Sequence, residues 1–218
     1  MATHNNARSR SSLMHVFVMN MIVLSLCLFT VVVGCGHHGV RPAVDSADQE
    51  LREIRTPDIL FVPTPQEVVD KMLELAEVKK DDLIFDLGCG DGRIVVTAAK
   101  KYGCRGVGYD IDPQRVVESL ENVKNNNVQK LVRIEQRDIF TLDLSEASVI
   151  TLYLLSSLNV KLIPQLEKLK PGTRIVSHDF DMQGIVTPDK TITVNSDGYG
   201  SHTVNLWIAP LKKNNVRN

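Results

Sequence analysis

The period of the apolar positions changes several times along the chain, and each change marks an element. After Thr64-Pro65-Gln66-Glu67, the residues Val68, Met72, Leu75 and Ala76 recur at helical spacing and predict one apolar helix face. Thr64 stands where it can cap the free amides, Pro65 suits the first helical position, and Glu67 can close a capping box. Residues 82–86 read as a short buried strand, followed by a glycine-rich turn and a helix over 93–102 that Gly103 stops. A second strand is expected at 105–110, a helix from Pro113 to about Asn126, and a third strand at 132–135. A fourth, almost wholly apolar strand covers 147–154; a helix over 158–169 ends at Pro171-Gly172, and a fifth strand spans 173–180. Residues 191–194 and 202–208 then alternate apolar and polar around Asp197-Gly198, the pattern of an antiparallel hairpin.

Strand–helix alternation of this kind implies an α/β fold, a doubly wound and mostly parallel sheet with helices on both faces, here closed by the C-terminal hairpin. At 218 residues the chain is long enough for one sizeable core. Its 25 Lys+Arg against 26 Asp+Glu give a formal net charge of −1, which argues against general nucleic-acid binding because that needs surplus cations to neutralise phosphates. The four cysteines, at 27, 35, 89 and 104, are too scattered for a disulfide scaffold.

The first 60 residues read differently. Residues 1–12 carry Arg8 and Arg10 and no acid, and 13–33 are nearly continuously apolar, the order of a secretory signal. Val32-Val33-Gly34-Cys35 looks like a bacterial lipobox, which implies cleavage before Cys35 and a lipid on its sulfur, holding the chain at a membrane surface. The same stretch is long enough to serve as an uncleaved membrane anchor, and a start codon misplaced upstream of a cytosolic enzyme is the third reading. Residues 36–60 form a linker with a short helix expected near 45–55. His37 and His38 lie in that tether without the carboxylate or cysteine cluster that would complete a coordination sphere, so no metal site is expected. The folded domain is expected over 61–210, with a polar tail at 211–218.

The chemistry concentrates in Phe85-Asp86-Leu87-Gly88-Cys89-Gly90-Asp91-Gly92-Arg93, between the first strand and its helix. In a doubly wound sheet that turn borders the ligand crevice. Gly88 and Gly90 let the backbone turn tightly and approach a ligand, and the amides opening the helix attract an anion or carboxylate. Asp110, ending the second strand, can accept from both hydroxyls of a ribose. Dinucleotide sites use G-x-G-x-x-G; here the spacing is G-x-G-x-G, and Asp86 precedes the first glycine by two residues. An acid there repels a pyrophosphate and suits a cationic amino group, as in the methionine part of S-adenosylmethionine.

At these residues the sequence resembles the class I S-adenosylmethionine (SAM)-dependent methyltransferases, over roughly 60–180. The resemblance implies a seven-stranded sheet in the order 3-2-1-4-5-7-6. It further implies that Asp86 faces the methionine ammonium, that Gly88, Gly90 and Gly92 wrap the cofactor, and that Asp110 holds the ribose. Asp138 would accept from the adenine amino group, with the Ile139 amide beside it. Phe61-Val62-Pro63-Thr64-Pro65 and the D-G-R-I-V tail of the loop are similar to a small subgroup that includes mitochondrial lysine methyltransferases and bacterial relatives; there the turn closes over the methionine end and Thr64 touches its carboxylate. Local readings stay open beside these: a helix-terminus partner for Asp86 and a turn cap for Asp138.

Methyl transfer is an in-line displacement, so the protein mainly aligns and desolvates a nucleophile and few residues are obligatory. Family members acting on planar amide or adenine nitrogens carry N/D-P-P-Y/F after the fourth strand; Thr151-Leu152-Tyr153-Leu154-Leu155 departs from it, leaving protein lysine, hydroxyls and small molecules as acceptors. Tyr153 is a candidate wall of the acceptor pocket, or simply core. His178 is a candidate proton acceptor, with a structural histidine as the competing reading. A non-catalytic nucleoside-binding protein and a dinucleotide oxidoreductase are the functional alternatives.

Overall fold

The computed structural model describes residues 56–214. The N-terminal segment with Cys35, the His37-His38 pair and the helix expected near 45–55 lie outside the described residues. The elements are α1 (Gln66–Leu75), β1 (Leu83–Leu87), α2 (Arg93–Tyr102), β2 (Arg105–Asp110), α3 (Pro113–Asn125), β3 (Val132–Gln136), a 3₁₀ turn (Ile139–Thr141), β4 (Val149–Leu152), α4 (Ser156–Leu166), β5 (Arg174–His178), β6 (Lys190–Ser196) and β7 (Gly200–Ile208).

One seven-stranded sheet runs β3-β2-β1-β4-β5-β7-β6, the expected order. β1 through β5 pair in parallel, and β7 pairs antiparallel with both β5 and β6. The two-residue side-chain period of the strands divides the core. On one face Ile84, Val149 and Val176 pack with Val69 and Met72 of α1 and Val95 and Ala99 of α2. On the other, Phe85, Ile150, Ile175 and Trp207 pack with Leu162 and Leu166 of α4. Both faces are thus covered, which suits the near-continuous apolar runs of β1 and β4.

Three local expectations are revised. Thr64 does not cap α1: Pro65 is the N-cap residue, its carbonyl accepting from the amides of Val68 and Val69, and the Thr64 hydroxyl turns to His178 instead. The Glu67 carboxylate accepts from Ser196 of β6 and closes no capping box with Thr64. Beyond residue 210 the chain is tied back, Lys213 pairing with Val186 and the Asn214 side-chain amide donating to the Gly184 carbonyl at 2.6 Å. Gly103 does stop α2, in the left-handed conformation at φ +69°. Among the described residues no helix is long and apolar enough to cross a membrane.

Candidate active site

The C-terminal ends of β1, β2 and β4 open into a cleft of about 500 Å³, a size ordinary for a small-molecule site. Asp86, Gly88, Asp110, Asp138, Ile139, Thr64 and Tyr153 all line it, although they come from five separate segments.

Asp86 is the most unusual group. Its side chain shares a sheet face with Thr151, its register partner on β4, whose hydroxyl donates to Oδ1 at 2.6 Å. Oδ2 is buried with no hydrogen-bond partner. Burial, reinforced by the nearby Asp110 and Asp91 charges and only partly offset by the Thr151 bond, pushes the carboxyl pKa up to about 7. An orphaned buried carboxylate oxygen of this kind asks for a cation.

The turn that follows is pinned by backbone bonds. Gly88 and Cys89 amides both donate to the Tyr109 carbonyl, and the Gly90 amide donates to Asp110 Oδ2 at 2.8 Å. Asp110 Oδ1 accepts from the Asp112 amide, so this carboxylate fastens the turn while leaving lone pairs toward the cleft. Burial holds its pKa above the usual range against those amide bonds. Gly90 and Gly92, expected to wrap a ligand, are occupied by protein. A Cβ on Gly90 would fall 2.2 Å from the Phe61 ring, and one on Gly92 would fall 2.9 Å from Ser119 of α3. Gly92 therefore admits close packing of the α3 helix, and neither glycine is among the cleft-lining residues.

Asp138 caps the 3₁₀ turn through the Phe140 amide at 2.9 Å, and Ile139 lies buried beside it. Gln165 of α4 donates to the Ile139 and Leu142 carbonyls and holds that turn. Asp91 grips the Arg93 guanidinium, which also donates to the Thr64 carbonyl at 2.8 Å and so ties the glycine turn to the entry of α1.

The other end of the cleft is aromatic. Tyr153 and Phe180 line it, ring centroids 6.1 Å apart. His178 lies behind this wall: it is 0% exposed, and the Tyr153 ring stacks on it at 3.9 Å. Burial outweighs the pull of Asp179 and pushes its pKa down to about 4, which keeps the ring neutral. His178 accordingly does not stand at the cleft surface as a proton acceptor. Sequence reasoning missed Thr151, Gln165 and Asn159. The last donates its amide to the carbonyls of Leu154, Phe180 and Asp181, lacing together the loops after β4 and β5. A single polar residue in an apolar helix face, as Asn159 is in α4, was the available signal.

Strand order, paired acids at the tips of β1 and β2, and a cleft across the topological switch define a class I methyltransferase domain. The family model described as the ANTKMT methyltransferase domain matches residues 86–190. A protein-lysine N-methyltransferase of Saccharolobus islandicus (strain REY15A) is 47% identical over 154 residues, covering 70% of this chain and 94% of that protein. A human ATP synthase lysine N-methyltransferase is 28% identical over 131 residues, 60% of this chain and 54% of that protein, so the chain spans about half of that relative. A solved RNA methyltransferase from Salinibacter ruber, in complex with S-adenosyl-L-homocysteine, is 51% identical with a TM-score of 0.64, covering 71% of this chain and 97% of that one.

The chain belongs to the SAM-dependent methyltransferases, and SAM is its cofactor. The site fits that group on its own chemistry: the unpartnered Asp86 oxygen matches an ammonium, and the cleft volume accommodates a nucleoside joined to an amino acid.

Proposed function

We propose that the acceptor is the amine of a protein lysine, and that Asp86, Asp110, Asp138 with Ile139, and Thr64 hold the cofactor. The observation that carries the acceptor assignment is that the cleft has no surplus of cations: three arginines, Arg93, Arg115 and Arg137, stand among six aspartates, of which Asp86, Asp110 and Asp138 are those assigned to the cofactor. Arg93 and Arg115 are moreover paired with acids, Arg93 with Asp91 and Arg115 with Glu118. A polyanion is disfavoured at such a mouth, whereas a cationic side chain is attracted. The Tyr153–Phe180 wall supplies apolar surface for a lysine stem and π-faces for its charged head. The bound cofactor supplies an activated methyl group; the chain's part is to anchor one end at Asp86, leave the other at Ile139, and present the acceptor between the aromatic rings.

An RNA acceptor is the second reading, favoured by the likeness to the Salinibacter ruber RNA methyltransferase. The test offers the full chain SAM together with lysine-bearing peptides, their Lys→Arg counterparts, and total RNA. Single-methyl mass increments on the lysine peptides alone support the proposal; methyl label on RNA alone overturns it.

The location rests on the sequence pattern of residues 1–35: a basic start, an apolar run and Gly34-Cys35 support lipid attachment at Cys35 and a membrane-surface enzyme. A mass spectrum of the mature chain beginning at a lipidated Cys35 is the expected outcome, and an intact unmodified Met1 terminus would reject it.

A further inference from the structure

Behind the aromatic wall, three ligating atoms converge at the end of β5. His178 Nε2 and His202 Nδ1 are 3.0 Å apart, His202 Nδ1 and Asp179 Oδ2 are 3.1 Å apart, and His178 Nε2 and Asp179 Oδ2 are 3.3 Å apart. Which protons fill this triangle depends on the tautomers of the two rings, and with His178 protonated on Nδ1 its Nε2 brings a lone pair to it. If His202 carries its proton on Nδ1, that one hydrogen serves both neighbours, the His178 and Asp179 lone pairs still face each other, and the buried His202 Nε2 is left without a partner. If the His202 proton sits on Nε2 instead, that buried N–H has no partner, and with His178 protonated on Nδ1 three lone-pair atoms face one another.

A cation at the centre meets all three lone pairs at once, while the His202 Nε2–H stays without a partner. In tetrahedral zinc sites the metal–ligand bonds are about 2.0–2.1 Å, which sets neighbouring ligand atoms about 3.3 Å apart. The observed triangle already has nearly that size. Two of the three ligands also have outer partners in place. Thr64 Oγ1 lies 3.2 Å from His178 Nδ1 and can accept its N–H, which leaves Nε2 with a free lone pair. The Thr203 amide donates to Asp179 Oδ1 at 2.8 Å, turning Oδ2 inward. Asp179 adopts the left-handed conformation at φ +57°, a strained backbone for a non-glycine residue, and this is what carries its carboxylate back toward β7. The Asp179 side chain is 32% exposed, the most open of the three.

We propose that His178, Asp179 and His202 form a three-ligand site for a divalent transition metal of the zinc class, a water completing the coordination. Two imidazoles and one carboxylate are a common donor set for such ions. The ion clamps the end of β5 to β7 and fixes the His178 ring on which Tyr153 stacks. It is a positioning site for the acceptor wall, distinct from the cofactor end of the cleft, and it does not depend on which acceptor is used.

The test uses the full chain with His37 and His38 both replaced by alanine, so that the adjacent pair cannot compete. After dialysis against chelator, calorimetric titration with zinc chloride should show one ion bound per chain. His202→Ala and Asp179→Asn should each weaken zinc at least about tenfold while S-adenosylhomocysteine binding, the readout of folding, stays within about twofold. Cobalt(II) should give visible absorption bands of a tetrahedral site that vanish in His202→Ala. No stoichiometric zinc uptake by the parent chain, or uptake unchanged in both variants, overturns the proposal.

Discussion

The two ends of the cleft are built on opposite plans. The cofactor end is local: Asp86, the glycine turn and the start of α2 are one continuous stretch, and Asp110 reaches it from the adjacent strand. The aromatic end, where we place the acceptor, is assembled from distant pieces, with Tyr153 after β4, His178 and Asp179 ending β5, and His202 on β7. Backbone amides hold the first; side-chain bonds among Thr64, His178, Asp179, His202 and Asn159 hold the second. A reaction that reuses one cofactor on many acceptors needs this division: a fixed cradle at one end and a separately adjustable wall at the other.

The largest effect should separate the two ends by binding alone. Asp86→Asn leaves the cofactor ammonium without its buried counter-charge, and losing one partner of a buried pair costs about 3–5 kcal/mol. Calorimetry should therefore show SAM affinity falling by at least about a hundredfold. An affinity within about tenfold of the parent would mean that Asp86 does not face the cofactor.

The same residue predicts a pH dependence of the unliganded chain. The folded pKa of about 7 lies above the unfolded value, so the folded state holds a proton that the unfolded state releases. The contribution of Asp86 to stability is most favourable below about pH 4, declines as pH rises, and reaches its full penalty above about pH 7. That penalty is about 4 kcal/mol for a shift of this size. Asp86→Asn should raise the melting temperature clearly at pH 8 and little at pH 4; equal gains at both would contradict the burial argument.

A smaller effect tests the cradle's rigidity. Gly90→Ala places a methyl at φ +56° and against the Phe61 ring, a strain of about 1–3 kcal/mol. Denaturant unfolding should show that loss, and Phe61→Ala in the same chain should recover the part due to the clash.

The smallest change concerns the wall. Tyr153→Phe keeps the ring on His178 and removes only the hydroxyl, so stability should move by less than about 1 kcal/mol and cofactor affinity by less than about twofold. Any loss should sit in turnover of the acceptor. A matching loss of cofactor affinity would erase the distinction between the two ends.

How much is readable before folding follows the same division. The parallel core, its strand order and the cleft position of Asp86, Asp110, Asp138 and Ile139 are legible, because a strand–turn–helix unit writes its ligand face into contiguous residues. The local pattern at Thr64 fits a helix cap; its hydroxyl finds His178, 114 residues away, which no local pattern records. Gly92 has the place of a wrapping glycine in the turn, yet what it accommodates is Ser119 on the next helix.

The sequence by itself determined the period of each element, the covered sheet and the acid-before-glycine turn, since these follow from near-neighbour sterics and hydrophobic alternation. Tertiary structure alone decided that His202 meets Asp179 and His178. That contact depends on β7 lying antiparallel beside β5 in one register, with His178 opposite Val204, and a slip of a single residue would turn His202 to the other face.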